Sequence, residues 1–252
     1  MPVQKICKIL SVEKLNEDAI SLWLEAGEMA ETAQVGQFIN IKCGEGLLLR
    51  RPISICRVEG SKLNVVYEVR GEGTLWMSKR QPGEELDVLG PLGHGFTYPD
   101  GKVLVVGGGI GVPPMLNTAI KAPQGAIACI GFRNKDKVML AKEFEDCCEQ
   151  VYLSTDDGSL GVHSYVAGIV DTALTEHPEI KAVMACGPKI MLKTVFAAAK
   201  AHGVPCQVSL EERMGCGVGA CLVCACKMAG GEHKHVCKDG PVFDAEEVSW
   251  DD

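Results

Sequence analysis

The carboxy-terminal cysteines set the tightest limit on what this chain can fold into. Met214-Gly215-Cys216-Gly217-Val218-Gly219-Ala220-Cys221-Leu222-Val223-Cys224-Ala225-Cys226 is followed at a distance by Cys237. Taken as ligands, Cys216, Cys221, Cys224 and Cys237 read C-x4-C-x2-C plus a remote fourth, the ligation order of plant-type [2Fe–2S] sites. Glycines at 215, 217 and 219 suit a loop that turns tightly and brings backbone N–H groups to sulfur. Structural zinc also takes four thiolates. It commonly draws them from two short hooks, so three ligands from one loop and a lone fourth favour iron–sulfur. Cys226 reads as a buried neighbour, or as a substitute ligand if the register shifts. His233 and His235 read as hairpin-tip residues, or as members of a mixed site.

The other cysteines of the 13 are scattered along the chain, and in a reducing compartment such residues are mostly small buried apolar groups. An odd total fits a disulfide framework poorly. A length of 252 residues accommodates two ordinary domains and a small module, and 46% hydrophobic with 23% charged residues is a globular composition. The formal charge of −8 argues against a nucleic-acid partner. Met1-Pro2-Val3-Gln4-Lys5 is no charged-then-apolar leader, and glycine and proline break every apolar run before it reaches bilayer length. The expectation is a cytoplasmic protein with no membrane association.

Residues 1–99 read as all-β. Short alternating segments recur at 5–10, 19–24, 38–42, 53–56 and 62–69, separated by turn residues such as Gly44, Gly46, Gly60 and Gly71, the pattern of a small barrel or sandwich. A short helix is expected from Gly73 and a last strand after Pro82-Gly83. From residue 100 the pattern changes. Val103-Leu104-Val105-Val106 has no polar alternation, as in a strand buried on both faces of a parallel sheet. Further strands are expected at 126–132, 151–154 and 182–186, with helices from near Met115, over 141–150 and over 190–202, the last capped by Gly203. Alternating strand and helix make residues 100–208 an α/β domain with a parallel sheet. Residues 209–252 are read as a cysteine-rich module with little regular structure.

Three motifs point to nucleotides. Arg50-Arg51-Pro52-Ile53-Ser54 sets a guanidinium and a hydroxyl three residues apart on an extended segment, and Gly73-Thr74 offers N–H donors at a helix start. Each alone is an ordinary strand edge or helix end. Together in a small β-domain they favour a flavin pyrophosphate. Gly107-Gly108-Gly109-Ile110-Gly111-Val112-Pro113-Pro114 follows a buried strand, where a glycine turn admits a dinucleotide. It is not a standard fingerprint, because Val112 holds the third glycine position and Arg133-Asn134, not an acid, follows the next strand. Cys186-Gly187-Pro188 and Thr155-Asp156-Asp157-Gly158-Ser159 each close a strand on the same edge, as sites for nicotinamide and for ribose hydroxyls or simply as sharp loops.

Taken together these motifs resemble the ferredoxin–NADP reductase superfamily, and within it the electron-transfer subunits of two-component, NAD-dependent (class 1B) dihydroorotate dehydrogenases. Ser209-Leu210-Glu211-Glu212-Arg213-Met214-Gly215-Cys216-Gly217 and Val236-Cys237-Lys238-Asp239-Gly240-Pro241-Val242-Phe243 carry the specific match, and His94 departs from an expected asparagine. The resemblance spans the chain. It implies an antiparallel FAD-binding β-barrel (1–99), a parallel-sheet NAD-binding domain (100–208) and a [2Fe–2S] module (209–252). It implies that Arg51, Pro52, Ile53, Ser54, Val66, Tyr67, Glu68, Gly73 and Thr74 line the FAD site. Gly109, Gly111, Cys186, Gly187 and Pro188 are expected at the NAD site, and Cys216, Cys221, Cys224 and Cys237 as cluster ligands.

The resemblance also implies a partner: an FMN-containing catalytic subunit that oxidises dihydroorotate, in a heterotetramer of two copies of each. No side-chain acid or base is expected in this subunit, because nicotinamide takes a hydride pair, the cluster single electrons, and a flavin handles both. Glu211 and Glu212 are candidates for the nicotinamide face. The preference for NAD over NADP comes from the resemblance alone, since Arg133 equally suits a 2′-phosphate. Other readings are a flavin/iron–sulfur subunit of another NAD(P)H oxidoreductase, of the ferredoxin–NADP or sulfur reductase type, and a zinc-stabilised interaction module.

Overall fold

The computed structural model describes residues 2–251. Six antiparallel strands close into a barrel: β1 (Val3–Lys14), β2 (Ala19–Glu25), β3 (Phe38–Ile41), β4 (Arg51–Glu59), β5 (Lys62–Glu68) and β6 (Glu85–Leu92), in the order β1-β2-β5-β4-β3-β6. Alternation decides what fills it. Ile39 and Ile41 of β3 point inward with Leu22, Leu24, Leu63, Val65 and Val88. Two short helices decorate the barrel, α1 (Glu28–Glu31) and α2 (Glu72–Met77).

The second half is wound on β7 (Lys102–Gly108), followed by α3 (Val112–Ile120), β8 (Ala126–Phe132), α4 (Ala141–Cys147), β9 (Gln150–Thr155), β10 (Val162–His163), α5 (Val166–Glu176), β11 (Ile180–Cys186), α6 (Lys189–Ala201) and β12 (Cys206–Ser209). β7 shows why the sheet is covered on both faces. Val103 and Val105 pack with the α3 and α4 side, whereas Leu104 and Val106 pack with α5 and α6. Gly203, at φ 68°, takes the left-handed conformation just past α6, where the sequence placed its cap.

Two expectations need correction. The helix expected over 141–150 stops at Cys147, because Cys148 turns extended and Gln150 already pairs with Ile127 in β9. The tail is more regular than its composition suggested. β13 (Ala225–Lys227) and β14 (His233–His235) form a hairpin, and β15 (Val242–Asp244) pairs antiparallel with β12. The large sheet therefore runs β10-β9-β8-β7-β11-β12-β15, with a tail strand at its edge. Short strands among glycines and cysteines carry too weak a period to be read from sequence.

Phe243 of β15 is 5% exposed and packs with Cys224, Cys237 and Val208. Phe243→Ala is expected to destabilise by about 3–5 kcal/mol. Because β15 is bonded to β12, the loss should appear as a shift of one unfolding transition followed by circular dichroism in urea. A separate early transition would show that the tail melts on its own.

Candidate functional site

The barrel brings the two halves of its sequence motif together. Arg51 opens β4, and its guanidinium lies against the Cα of Gly73 in the first turn of α2, so closely that a Cβ there would overlap Nε. The N–H groups of a first helical turn have no partner within the helix. Cation and donors thus face the same space, as a pyrophosphate requires. Thr74 serves the turn itself: its hydroxyl oxygen accepts from the N–H of Arg70 (2.9 Å) and of Gly71 (3.1 Å). Glu68 is paired with Arg70 at 2.6 Å. Pro52, Ile53 and Ser54 are half-buried on β4, and Val66 is buried where barrel and sheet meet. Tyr67 points into the barrel core, its hydroxyl buried and without a hydrogen-bond partner among the described residues, and burial pushes that hydroxyl well above its ordinary pKa.

The glycine run and the Cys186-Gly187-Pro188 turn also converge. Gly111 sits under the Cys186 carbonyl, and a Cβ on it would strike that backbone and the Gly187 Cα at 2.7 Å. Beside them Gly109 has φ 55° and open space where a Cβ would stand. The result is a small-residue surface at the carboxyl ends of β7 and β11, where ligands of open α/β sheets bind. The α3 N-terminus is not a phosphate cradle of the usual kind. Pro113 and Pro114 have no N–H, and that of Val112 already donates to Gly109. Burial pushes the Cys186 thiol up to about 12, so it is a neutral neighbour and no nucleophile.

Gly187 and Pro188 line a cavity of about 330 Å³ with Glu211, Glu212, Arg213 and Lys227. The two glutamates are therefore next to the expected nicotinamide turn. On the other side of the edge, Asp157 is occupied in shaping its loop. Its carboxylate accepts from the Ser159 N–H (3.0 Å) and hydroxyl (2.6 Å), which holds it below the usual carboxylate range.

In the tail the four predicted ligands lie as two pairs. Cys216 is beside Cys221, and Cys224 is beside Cys237. Among the described residues no three His, Cys, Asp or Glu side chains converge on one point. Two thiol pairs suit two irons that take two thiolates each, and do not suit the single tetrahedron of zinc. Backbone donors converge on the sulfurs. Cys216 Sγ accepts from Val218 (3.4 Å), Ala220 (3.2 Å) and Cys221 (3.4 Å), Cys237 Sγ from Gly219 (3.1 Å), and Cys224 Sγ from Cys237 (3.4 Å). Burial raises the Cys216 thiol, but these donors outweigh it and bring it down to about 6. The residues present fit a [2Fe–2S] cluster.

Cys226 is not part of the set. Its thiol is buried in the hydrophobic core and donates to the Lys234 carbonyl at 3.3 Å. His235 is 3.5 Å from Asp239 on the hairpin. Sequence reasoning missed Asn40, whose Nδ2 donates to the Cys216 carbonyl at 3.4 Å. A polar residue inside Phe38-Ile39-Asn40-Ile41 was the available signal. His94, singled out in sequence, donates its N–H to the Gly240 carbonyl (2.5 Å) and ties the barrel exit to the tail.

Comparison with known proteins first defines the class. A ferredoxin NADP+ reductase from Neisseria gonorrhoeae with bound FAD and NADP superposes with a TM-score of 0.66, at 18% identity over 79% of this chain and 92% of that one, which establishes the reductase fold. The structure of an NADH-dependent reduced ferredoxin–NADP oxidoreductase matches with a TM-score of 0.88 and 31% identity, over 98% of this chain and 91% of that one. The protein is thus of the flavin- and nicotinamide-linked reductase class, with an iron–sulfur module at its end.

Residues 211–249 match the iron–sulfur cluster binding domain of dihydroorotate dehydrogenase B. The electron transfer subunit of dihydroorotate dehydrogenase B (NAD(+)) from Geobacillus thermodenitrificans is 40% identical over 95% of this chain and 96% of its own. That from Caldanaerobacter subterraneus subsp. tengcongensis is 44% identical over 84% and 86%. The chain belongs to the family of dihydroorotate dehydrogenase B electron transfer subunits.

Gly73→Ala would push the Arg51 guanidinium off the first turn of α2. We expect flavin affinity to fall at least tenfold, the order of one lost charge-assisted contact of about 1.5–3 kcal/mol, read by release of flavin fluorescence. Unchanged affinity with a folded spectrum would remove Arg51 and Gly73 from the flavin site.

Proposed function

We propose that this chain is the electron-transfer subunit of a dihydroorotate dehydrogenase B of pyrimidine biosynthesis, working between NAD(H) and a separate FMN-bearing catalytic subunit. Residues 1–99 are assigned to FAD, 100–208 to NAD and 209–252 to the [2Fe–2S] cluster. Arg51, Pro52, Ile53, Ser54, Val66, Glu68, Gly73 and Thr74 form the FAD wall, and Tyr67, expected there from sequence, stands behind it with its ring in the barrel core. Gly109, Gly111, Cys186, Gly187 and Pro188 form the NAD surface. Cys216, Cys221, Cys224 and Cys237 hold the cluster.

The observation that carries this reading is the asymmetry of the thiols. Cys224 and Cys237 are 1% and 3% exposed, locked against the sheet, whereas Cys221 is exposed. Around it Val218, Leu222 and Val223 are 47%, 59% and 56% exposed. Apolar side chains ringing the open end of a redox site are what a docking partner buries. Two copies of each subunit would give a heterotetramer, placed in the cytoplasm. No helix is long and apolar enough to cross a membrane among the described residues.

When bound, the cluster would carry single electrons in from the FMN of the catalytic subunit, and FAD would collect two of them for transfer to NAD+ as a hydride. The chain's own residues bind and position. Arg51 and the first turn of α2 neutralise phosphate charge. Gly111, packed under the Cys186 carbonyl, keeps the NAD surface flat enough for a ring to approach the flavin wall. Glu211 and Glu212 stand at the rim of the adjoining cavity. The loop N–H groups stabilise charge on sulfur. None of these steps needs a side-chain acid or base.

A second reading, the flavin/iron–sulfur subunit of another NAD(P)H-linked oxidoreductase, draws on the 31% likeness to the ferredoxin–NADP oxidoreductase structure. Co-purification decides between them. An FMN-bearing partner should be retained by the native chain and lost from the Leu222→Glu/Val223→Glu variant. Retention of a different partner would favour the second reading. Prepared anaerobically, the protein should carry about two irons and one flavin per chain, the demand of the four-cysteine site. Cys221→Ser should remove iron and its visible absorbance while NADH still reduces a dye at the flavin. Loss of dye reduction in a folded variant would reverse the order of carriers.

A further inference from the structure

Asn40 is an amide where an apolar residue would pack. It is 0% exposed and lies on β3 between Ile39 and Ile41, both of which fill the barrel interior. The period of two therefore turns Asn40 and Phe38 to the outer wall, where Phe38 joins the hydrophobic cluster that also holds Cys224, Cys237 and Phe243 of the tail. Across the β3–β4 ladder Asn40 faces Pro52, and Phe38 faces Ser54. Directly opposed residues share a face and bring their Cβ atoms within about 5 Å. One neighbour of Asn40 is thus the wall assigned to FAD.

Its other neighbour is the cluster loop. Nδ2 donates to the Cys216 carbonyl at 3.4 Å, and a Cβ on Gly217 would stand 2.5 Å from the same nitrogen. Gly217 has φ 76°, so the loop turns over the amide in a conformation only glycine adopts freely. Oδ1 is buried with no hydrogen-bond partner among the described residues. A buried acceptor without a donor is a penalty to the chain alone, one that a bound donor removes.

We propose that Asn40 is a positioning residue that bridges the two redox sites. Nδ2 fixes the Cys216 carbonyl, and with it the first cluster ligand, against the barrel. Oδ1 accepts from an N–H or O–H group of the flavin bound on the same wall. This inference rests on the FAD and cluster assignments above. It adds that one side chain sets their mutual placement, on which the rate of electron transfer between them depends steeply.

The test uses Asn40→Leu, which fills the space without polar atoms, and Asn40→Asp, which keeps an acceptor but loses the donor. In the loaded protein Asn40→Leu removes both the Nδ2 donor to the Cys216 carbonyl and the buried Oδ1 acceptor. The stabilisation gained on adding FAD should shrink, flavin affinity should fall about fivefold, the size of one hydrogen bond, and electron transfer from flavin to cluster should slow at least tenfold. Asn40→Asp should retain flavin affinity yet shift the electron paramagnetic resonance signal of the reduced cluster and lower its potential, because a carboxylate repels the Cys216 carbonyl and charge on sulfur.

A purely structural Asn40 would instead lower the melting temperature of the loaded protein while leaving flavin affinity and the cluster signal unchanged. That result, or unaltered flavin affinity, cluster signal and transfer rate in Asn40→Leu at full iron and flavin content, overturns the proposal. Should Asn40→Leu fail to fold, Asn40→Ser carries the same cluster-signal and transfer-rate tests. Wild-type protein lacking iron or flavin would overturn the underlying assignments, a result distinct from normal loading with an inert Asn40.

Discussion

Everything in the tail is arranged around the need of sulfur for hydrogen-bond donors. Thiolates gathered on a cluster concentrate negative charge, and a loop that is partly out of water must neutralise it with its own backbone. The segment 216–221 does so by winding so tightly that three of its N–H groups reach Cys216 and a fourth reaches Cys237. A loop this short has no core of its own, so the rest of the chain supplies one. Asn40 of the barrel meets it on one side, the stem of Lys238 lies over Gly219 on another, and β15 anchors the returning chain to the sheet.

That anchoring fixes the relation among the three sites. β12 and β15 join the tail to the sheet in which the turn after β7 sets Gly111 beneath Cys186 at the end of β11, while β3 presents Asn40 to the same tail. The hydrophobic core on the α5 and α6 side of the sheet is continuous with Cys224, Cys226, Cys237 and Phe38. A module that shares its core with both neighbours cannot swing freely, and fixed separation is what carriers of single electrons require. The arrangement leaves Cys221 and its apolar surroundings as the open end.

Much of this was legible from residues. Val103-Leu104-Val105-Val106 showed a two-faced strand because each side chain needed an apolar neighbour, and both neighbours exist. Arg51 and Gly73 were read together although the sequence separates them, and the fold sets them side by side. Other features were hidden for physical reasons. The end of α4 at Cys147 is set by the pairing of Gln150 with Ile127, a contact with no local signature. β13–β15 are three residues each, too short for a period of two to register.

The sequence by itself determined the chemistry available: four thiols at cluster spacing, glycines where the backbone must approach, and a cation and a helix start in an all-β half. These are local covalent facts, carried by spacing and by the absence of a Cβ. Only the tertiary structure decided how the thiols pair, that Gly111 lies beneath the Cys186 carbonyl, that Cys226 and Tyr67 face cores, and that Asn40 stands between Pro52 and the cysteine loop. Such relations depend on strand register and on which face a side chain takes, and both are settled by contacts between residues far apart in the chain.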